Sequence, residues 1–277
     1  MKPNLLISFS LGHCANDFVP IAMYILIPAF GTALGLPAVE IGLLFMIHSL
    51  GGSIAFLPAG LLADHIANRG VVLAGTFFWV GFGYLAASFS NSFWAFALLI
   101  ALANMADATW HPIATGVLAQ IHKSRRAYAL GVHAIGGHVA EVITLPACGL
   151  LLSLWDWRLA IQVLIIPTLL MGVYFVLIHH HVPRHVNSRP TRADFLAIWR
   201  IWSSGAGLRV ISIFVTYNMG LFAIITMTPL YLTRNHSFSW LQTATVMAVM
   251  MLAGALAQPS TGKLSDRIGR RPLIVAG

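Results

Sequence analysis

The 277-residue chain is 58% hydrophobic and only 9% charged, where a soluble domain carries about 25% charge, so a water-soluble globular protein is excluded. Its formal charge of +8 does not mark a nucleic-acid binder, because the basic residues lie between apolar stretches and not along one face. The two cysteines, Cys14 and Cys148, both sit inside apolar stretches and give neither a disulfide framework nor a metal-ligand spacing.

Apolar runs of about 20 residues, the length that crosses a bilayer as helix, recur along the whole chain. Lipid offers backbone groups no hydrogen-bond partner, so the expected fold is an all-α polytopic membrane protein. In chain order the spans are predicted over 5–34, 39–63, 71–88, 93–121, 127–154, 159–179, 208–233 and 240–262. The first is read as a span and not as a cleaved leader. "LGHC" (Leu11–Cys14) has His13 where a lipoprotein site needs a small residue, and Asp17 interrupts the run. A ninth apolar run starts at Pro272 and reaches only Gly277.

Fourteen Lys and Arg residues fall in one set of loops, and only Arg158 and Arg234 in the other. Positive charge stays on the cytoplasmic side, so the N-terminus and the polar stretch His180–Gly205 are expected there. That stretch is the only long loop, and "VPRHVNSRPTRADF" within it reads as a linker between two membrane halves. "HHH" at His179–His181 reads as an interfacial helix end whose side chains reach for water. A short repeat supports the two halves: "GLLADHIANRG" follows span two and "GKLSDRIGRRP" follows span eight. Each has a glycine, an aspartate four residues later and basic residues beyond it.

"GKLSDRIGRR" resembles the signature loop of the major facilitator superfamily. The first copy departs from it, with His65 and Asn68 in place of arginines and Ala67 in place of a glycine. The order of spans, the mid-chain linker and "WDWR" before span six also fit, and the resemblance covers the whole chain. Within the superfamily, "SLGHCANDF", "EIGLLF" and "WHPIATGVL" resemble the fosmidomycin-resistance branch of efflux carriers. The resemblance implies twelve helices in two six-helix bundles, with spans one, four, seven and ten lining a central cavity. On that frame 1–180 is the first bundle, 181–206 the linker and 207–277 part of the second, as in a truncated carrier. In the signature loops Gly60 and Gly262 would let helix ends approach closely. Asp64 and Asp266 would accept hydrogen bonds from the start of a neighbouring helix, Asp266 near Ala127. Arg69, Arg267, Arg270 and Arg271, with Gly269 among them, would balance that charge and hold the cytoplasmic face.

Polar residues inside the spans fall into stripes at helical spacing. His13, Asn16, Asp17, Pro20 and Tyr24 share a face of span one. Asn104, Asp107, His111 and Thr115 share one in span four. His133, Gly137, Glu141 and Thr144 share one in span five, with His138 a turn from Glu141. A bare carboxylate facing lipid costs about 2.5–3.5 kcal/mol or more, so these stripes should turn inward. Asp107 and His111 stand at i and i+4 and can touch, and Pro112 removes a backbone hydrogen bond beside them. Desolvation favours the neutral form of a carboxylic acid, and changing access to water would let it load and release a proton. Asp107 is therefore expected to be the principal proton-responsive group with His111 as partner, and Asp17 and Glu141 are the next candidates. Asn218 in span seven is a cavity candidate by family position alone. A purely structural polar cluster, joining helices by hydrogen bonds, is the competing account.

Three functional readings remain open on the sequence. The leading one is a secondary carrier of the efflux type, exporting a small organic solute or drug in exchange for protons, with no cofactor and no metal. A histidine-rich membrane metalloenzyme is less consistent, because His111, His133 and His138 lie within spans and not in clusters near the cytoplasm. An inactive or partner-dependent fragment of a carrier is the third.

Overall fold

A computed structural model describes residues 3–63, 66–184 and 191–276, without the side-chain surroundings of 62, 193, 194, 258, 259, 262, 263, 266, 270, 274 and 276. Among the described residues the regular structure is entirely helical: α1 (Leu5–Ala33), α2 (Ala38–Ala63), α3 (Arg69–Ser88), α4 (Phe93–Ile121), α5 (Arg126–Leu154), α6 (Trp157–Leu164), α7 (Ile166–Ile178), α8 (Arg192–Ser203), α9 (Gly205–His236), α10 (Trp240–Ile268) and α11 (Arg270–Ala276). Eight segments are long and apolar enough to cross a membrane, as the apolar runs predict.

Local chemistry sets the helix ends. Asn4, Ser92, Asp156, Ser204 and Ser239 each stand at an N-cap and accept hydrogen bonds from first-turn amides that would otherwise lack partners. Ser239 and Gln242 complete a reciprocal capping box at the start of α10. Gly35 (φ 67°) turns the chain out of α1, and Gly269 (φ 87°) ends α10. Gly269 thus holds a backbone conformation that L side chains avoid.

Two elements differ from the sequence expectation. The sixth span is split into α6 and α7 at Ile165. Pro167 has no N–H for the carbonyl of Val163, and its ring crowds that turn. The linker, expected as a loop, contains α8, because "RADFLAIWRIWS" after Pro190 has neither glycine nor proline to interrupt it.

Helices α1 to α7 pack as one bundle, with α1 against α5, α2 against α4, and α3 against α4 and α7. At the end opposite the linker the core is aromatic. Phe30 stacks on Phe96 at 3.9 Å between ring centroids, and Trp157 meets Phe30 edge-on at 5.0 Å. Beside them Arg158 donates to the Ser90 carbonyl (2.9 Å) and to Asn91 Oδ1 (2.6 Å), and its guanidinium lies 4.2 Å from the Trp157 ring centre. Arg158→Ala is expected to remove about 1–2 kcal/mol of stability. A melting midpoint lowered by a few degrees in detergent checks it.

Helix α10 runs along α5, and α9 touches α1 and α2. These contacts gather at the end away from the linker. Arg234 donates to the Leu36 carbonyl at 2.8 Å. A Cβ placed on Gly149 would lie 2.6 Å from Ala244 Cβ and 2.8 Å from the Trp240 carbonyl oxygen. In α9 only Thr226, Pro229 and Leu230 are buried beyond Gly207. The remainder of α9, from Leu208 to Phe222, is largely exposed. Helices α9 and α10 therefore meet the α1–α7 bundle at one end, and α9 stands clear of it toward the linker.

Candidate functional site

The site begins with the i, i+4 geometry of two helices. On α1, His13 Nε2 lies 3.2 Å from Asp17 Oδ2. On α4, His111 Nε2 lies 3.7 Å from Asp107 Oδ1. Packing of α1 on α4 joins the pairs: His111 Nε2 is 3.4 Å from Asp17 Oδ1. Asn16 is fully buried, and its amide donates to Asp107 Oδ1 and, at 3.4 Å, to Asp17 Oδ1. One carboxamide thus ties both carboxylates together, His111 approaches the same two oxygens, and His13 meets the other oxygen of Asp17. The five residues form one connected acid–imidazole network between two membrane-length helices, α1 and α4.

A wall of rings and close backbones holds that network. Trp110, fully buried, packs beside His13 (5.9 Å), His111 (5.7 Å) and His133 (5.4 Å). His13 and His133 stack at 4.3 Å. His13 Nδ1 donates to the His133 carbonyl at 2.9 Å, which leaves its Nε2 toward Asp17. Helix α5 approaches closely enough because Gly136 faces the Ser10 carbonyl and Gly137 faces the His13 ring, where a Cβ would lie 2.9 Å from Cε1. Donor atoms of His13, Asp17 and His111 all lie within 4.8 Å of one another, near enough to converge on one ion. The same spacings serve an acid–imidazole network that neutralises its own charge, without an ion.

Asp17 and Asp107 also face a cavity of about 620 Å³ between α1, α2, α4, α5 and α9. Tyr24, Phe45, Phe56, His48, Glu141 and Phe222 contribute to its lining. A volume of this size suits a small organic molecule. His48 is held to Tyr84 OH at 2.8 Å, and Asn104 donates to the His48 carbonyl at 2.9 Å, so α2, α3 and α4 are fixed together on that wall.

Not every sequence-predicted residue joins the network. Glu141 lines the cavity, but its partner is His138 at 3.1 Å on its own helix, not His133. His133 turns the other way, to Trp110 and the Phe9 carbonyl. Thr115 returns its hydroxyl to the His111 carbonyl. Asn218 bonds back to the Phe214 carbonyl, and it is Phe222, one turn on, that reaches the cavity. Among the described residues Gly60 makes no close approach, since a Cβ there would meet nothing nearer than Pro112 at 3.9 Å. The tight contact between α2 and α4 lies instead at Gly51, against the Ala101 carbonyl. Asp64 lies outside the described residues, as do the surroundings of Gly262, Asp266 and Arg270, so the pairing expected at Ala127 lies there too. Arg267 and Arg271 are exposed. Arg69 is buried and donates to the Ala63 carbonyl and Gln120 Oε1, both at 2.9 Å, which closes the α2–α3 turn onto α4. Reading stripes alone missed Trp110 and Tyr84. A tryptophan beside "HP" inside a span was the available signal for the first.

A bundle of membrane helices with a wide cavity and buried acid–imidazole pairs is the architecture of a solute carrier. The Major Facilitator Superfamily profile matches residues 9–277, and the chain belongs to that superfamily. Its relatives are transporters, and it is not an enzyme. It is 26% identical over 264 residues to the "Probable 4-methylmuconolactone transporter" of Cupriavidus pinatubonensis, covering 90% of this chain and 60% of that one. It is 23% identical over 181 residues to the "Probable sugar efflux transporter" of Pasteurella multocida, covering 64% and 44%. The chain thus spans about 60% of the length of curated relatives that it matches along most of its own. Among solved structures, a bacterial homologue of the human lysosomal transporter Spinster, inward-facing and occupied, superposes with a TM-score of 0.73. It is 18% identical, with 96% of this chain and 62% of that one covered. A peptide transporter POT in complex with sulfate gives 0.73 at 14% identity, with 97% and 70% covered. These likenesses are of fold.

Proposed function

We propose that the chain is a secondary carrier of the efflux type, exporting a small organic solute in exchange for protons across the inner membrane. Its N-terminus is cytoplasmic, by the bias of Lys and Arg, and α9 then stands clear of the bundle toward the cytoplasm. Residues 1–180 form the first bundle, 181–206 the linker and 207–277 the part of the second bundle present. The motifs "SLGHCANDF", "EIGLLF" and "WHPIATGVL" favour the fosmidomycin-resistance branch.

The observation that carries this reading is the placement of Asp17 and Asp107 at once on the cavity and in the network with His13, His111 and Asn16. Asp107 is the principal proton acceptor in the cycle, and His111 takes up or yields the balancing charge beside it. When solute occupies the cavity, it changes the water reaching both carboxylates and so changes which form of each is favoured. Gly136 and Gly137 allow α5 to slide against α1 while the network switches.

The test is proton flux in inverted membrane vesicles carrying the 277-residue chain, challenged with a panel of small organic solutes. Solute-dependent proton movement that is absent from vesicles without the chain is the expected result. Solute exchange with no accompanying proton flux would refute the coupling and leave a uniporter.

A further inference from the structure

The chemistry of the cavity wall narrows the solute. This step rests on the cavity being the solute site. Three carboxylates, Asp17, Asp107 and Glu141, line the cavity, and no lysine or arginine does so among the described residues. The imidazoles near them are committed. His13 and His111 face Asp17, His111 also faces Asp107, and His138 holds Glu141. His48 on the cavity wall holds Tyr84 OH. An anion would have to take one of these imidazoles from a carboxylate and leave that carboxylate unpaired, which is expensive in a desolvated site.

Two neutral polar groups on the same wall each give a donor to the backbone. Asn104 Nδ2 donates to the His48 carbonyl, and Ser53 Oγ donates to the Ser49 carbonyl, both at 2.9 Å. Ser53 is left with acceptor capacity, and Asn104 with its Oδ1 and a second N–H. A guest that brings N–H donors and a positive charge complements the three carboxylates of this wall. The remaining surface is apolar and includes four aromatic rings: Tyr24 and Phe45 stack at 6.5 Å, and Phe56 and Phe222 also line it. Ring faces attract a cation and pack against an apolar body.

We infer that the cavity takes an organic amine in its protonated form, with the ammonium toward Asp17, Asp107 and Glu141 and an apolar body among the aromatic residues. Calorimetric titration of the full 277-residue chain in detergent with 4-phenylbutylamine, 4-phenylbutyrate and 4-phenylbutanol tests this, because the three probes share one body and differ only in the polar end. The amine is expected to bind at least about tenfold more tightly than the other two, the margin set by pairing a desolvated charge. Glu141→Gln, an isosteric change at a half-buried position, is expected to lose about that factor for the amine and leave the alcohol unchanged. Tighter or equal binding of the carboxylate, equal binding of all three, or no binding of any would overturn the inference, and the wild-type comparison decides it without a variant. Binding at equilibrium needs no proton gradient, so a chain that binds the amine but moves no protons refutes only the transport reading.

Discussion

Asp107→Asn is expected to uncouple transport from protons while leaving the fold in place. The side chain is near-isosteric and can still accept the Asn16 amide bond. It can no longer carry a negative charge. His111 then loses its partner at 3.7 Å and keeps only Asp17 at 3.4 Å. Coupling between two ligands corresponds to about 5- to 150-fold in affinity, so solute-driven proton flux should fall by roughly ten- to a hundredfold. Downhill exchange of labelled solute, which needs no proton, should persist. Measuring both in the same vesicles separates lost coupling from lost protein. Unchanged proton flux in the variant would remove Asp107 from the mechanism. His111→Asn is expected to give a smaller deficit of the same kind, because the carboxylate remains.

Gly149→Leu is expected to force α5 and α10 apart. At this position α5 meets the start of α10, and a Cβ would lie 2.6 Å from Ala244 Cβ, 2.8 Å from the Trp240 carbonyl oxygen and 2.9 Å from Leu241 Cα. Two of the three obstacles are backbone, so rotating a side chain cannot relieve them. Overpacking of this kind costs about 1–3 kcal/mol, and more where backbone must move. The neighbouring Cys148 reports the change directly. Its side chain is fully buried and its Sγ lies 4.0 Å from the Ala22 carbonyl. In a Cys14→Ser background, Cys148 should resist a maleimide in the parent chain and react in the Gly149→Leu variant. Equal protection in both would mean that α5 and α10 do not pack together through Gly149.

Both expectations depend on contacts that sequence patterns only partly expose. Spacing of i, i+4 shows that His13 can reach Asp17 and that His111 can reach Asp107, because both residues ride one rigid helix. It does not show that His111 turns to Asp17 across a helix boundary, or that Asn16 bridges the two carboxylates. The stripe on span five was misleading for a related reason. A stripe predicts a shared direction, yet His133 and Glu141, eight residues apart, end against different neighbours. One meets the α1 backbone and Trp110, the other His138 and the cavity. The glycines show the same limit. Gly60 was singled out by its motif, but among the described residues the tight approach of α2 to α4 falls at Gly51, which no motif marks.

The amino-acid order by itself determined the number of spans, their ends within a few residues and the superfamily. Each of these follows from local physics or from a contiguous motif: the length of an apolar run against bilayer thickness, an N-cap side chain reaching its own first turn, a signature loop. Only the tertiary structure decided which polar side chains meet, where the cavity lies and that α8 forms within the linker. Helical periodicity fixes a side chain's angle around its own axis. The rotation and depth of the neighbouring helix are set by where backbones can touch, as Ser10 and Gly136 do, and that is a property of two surfaces together.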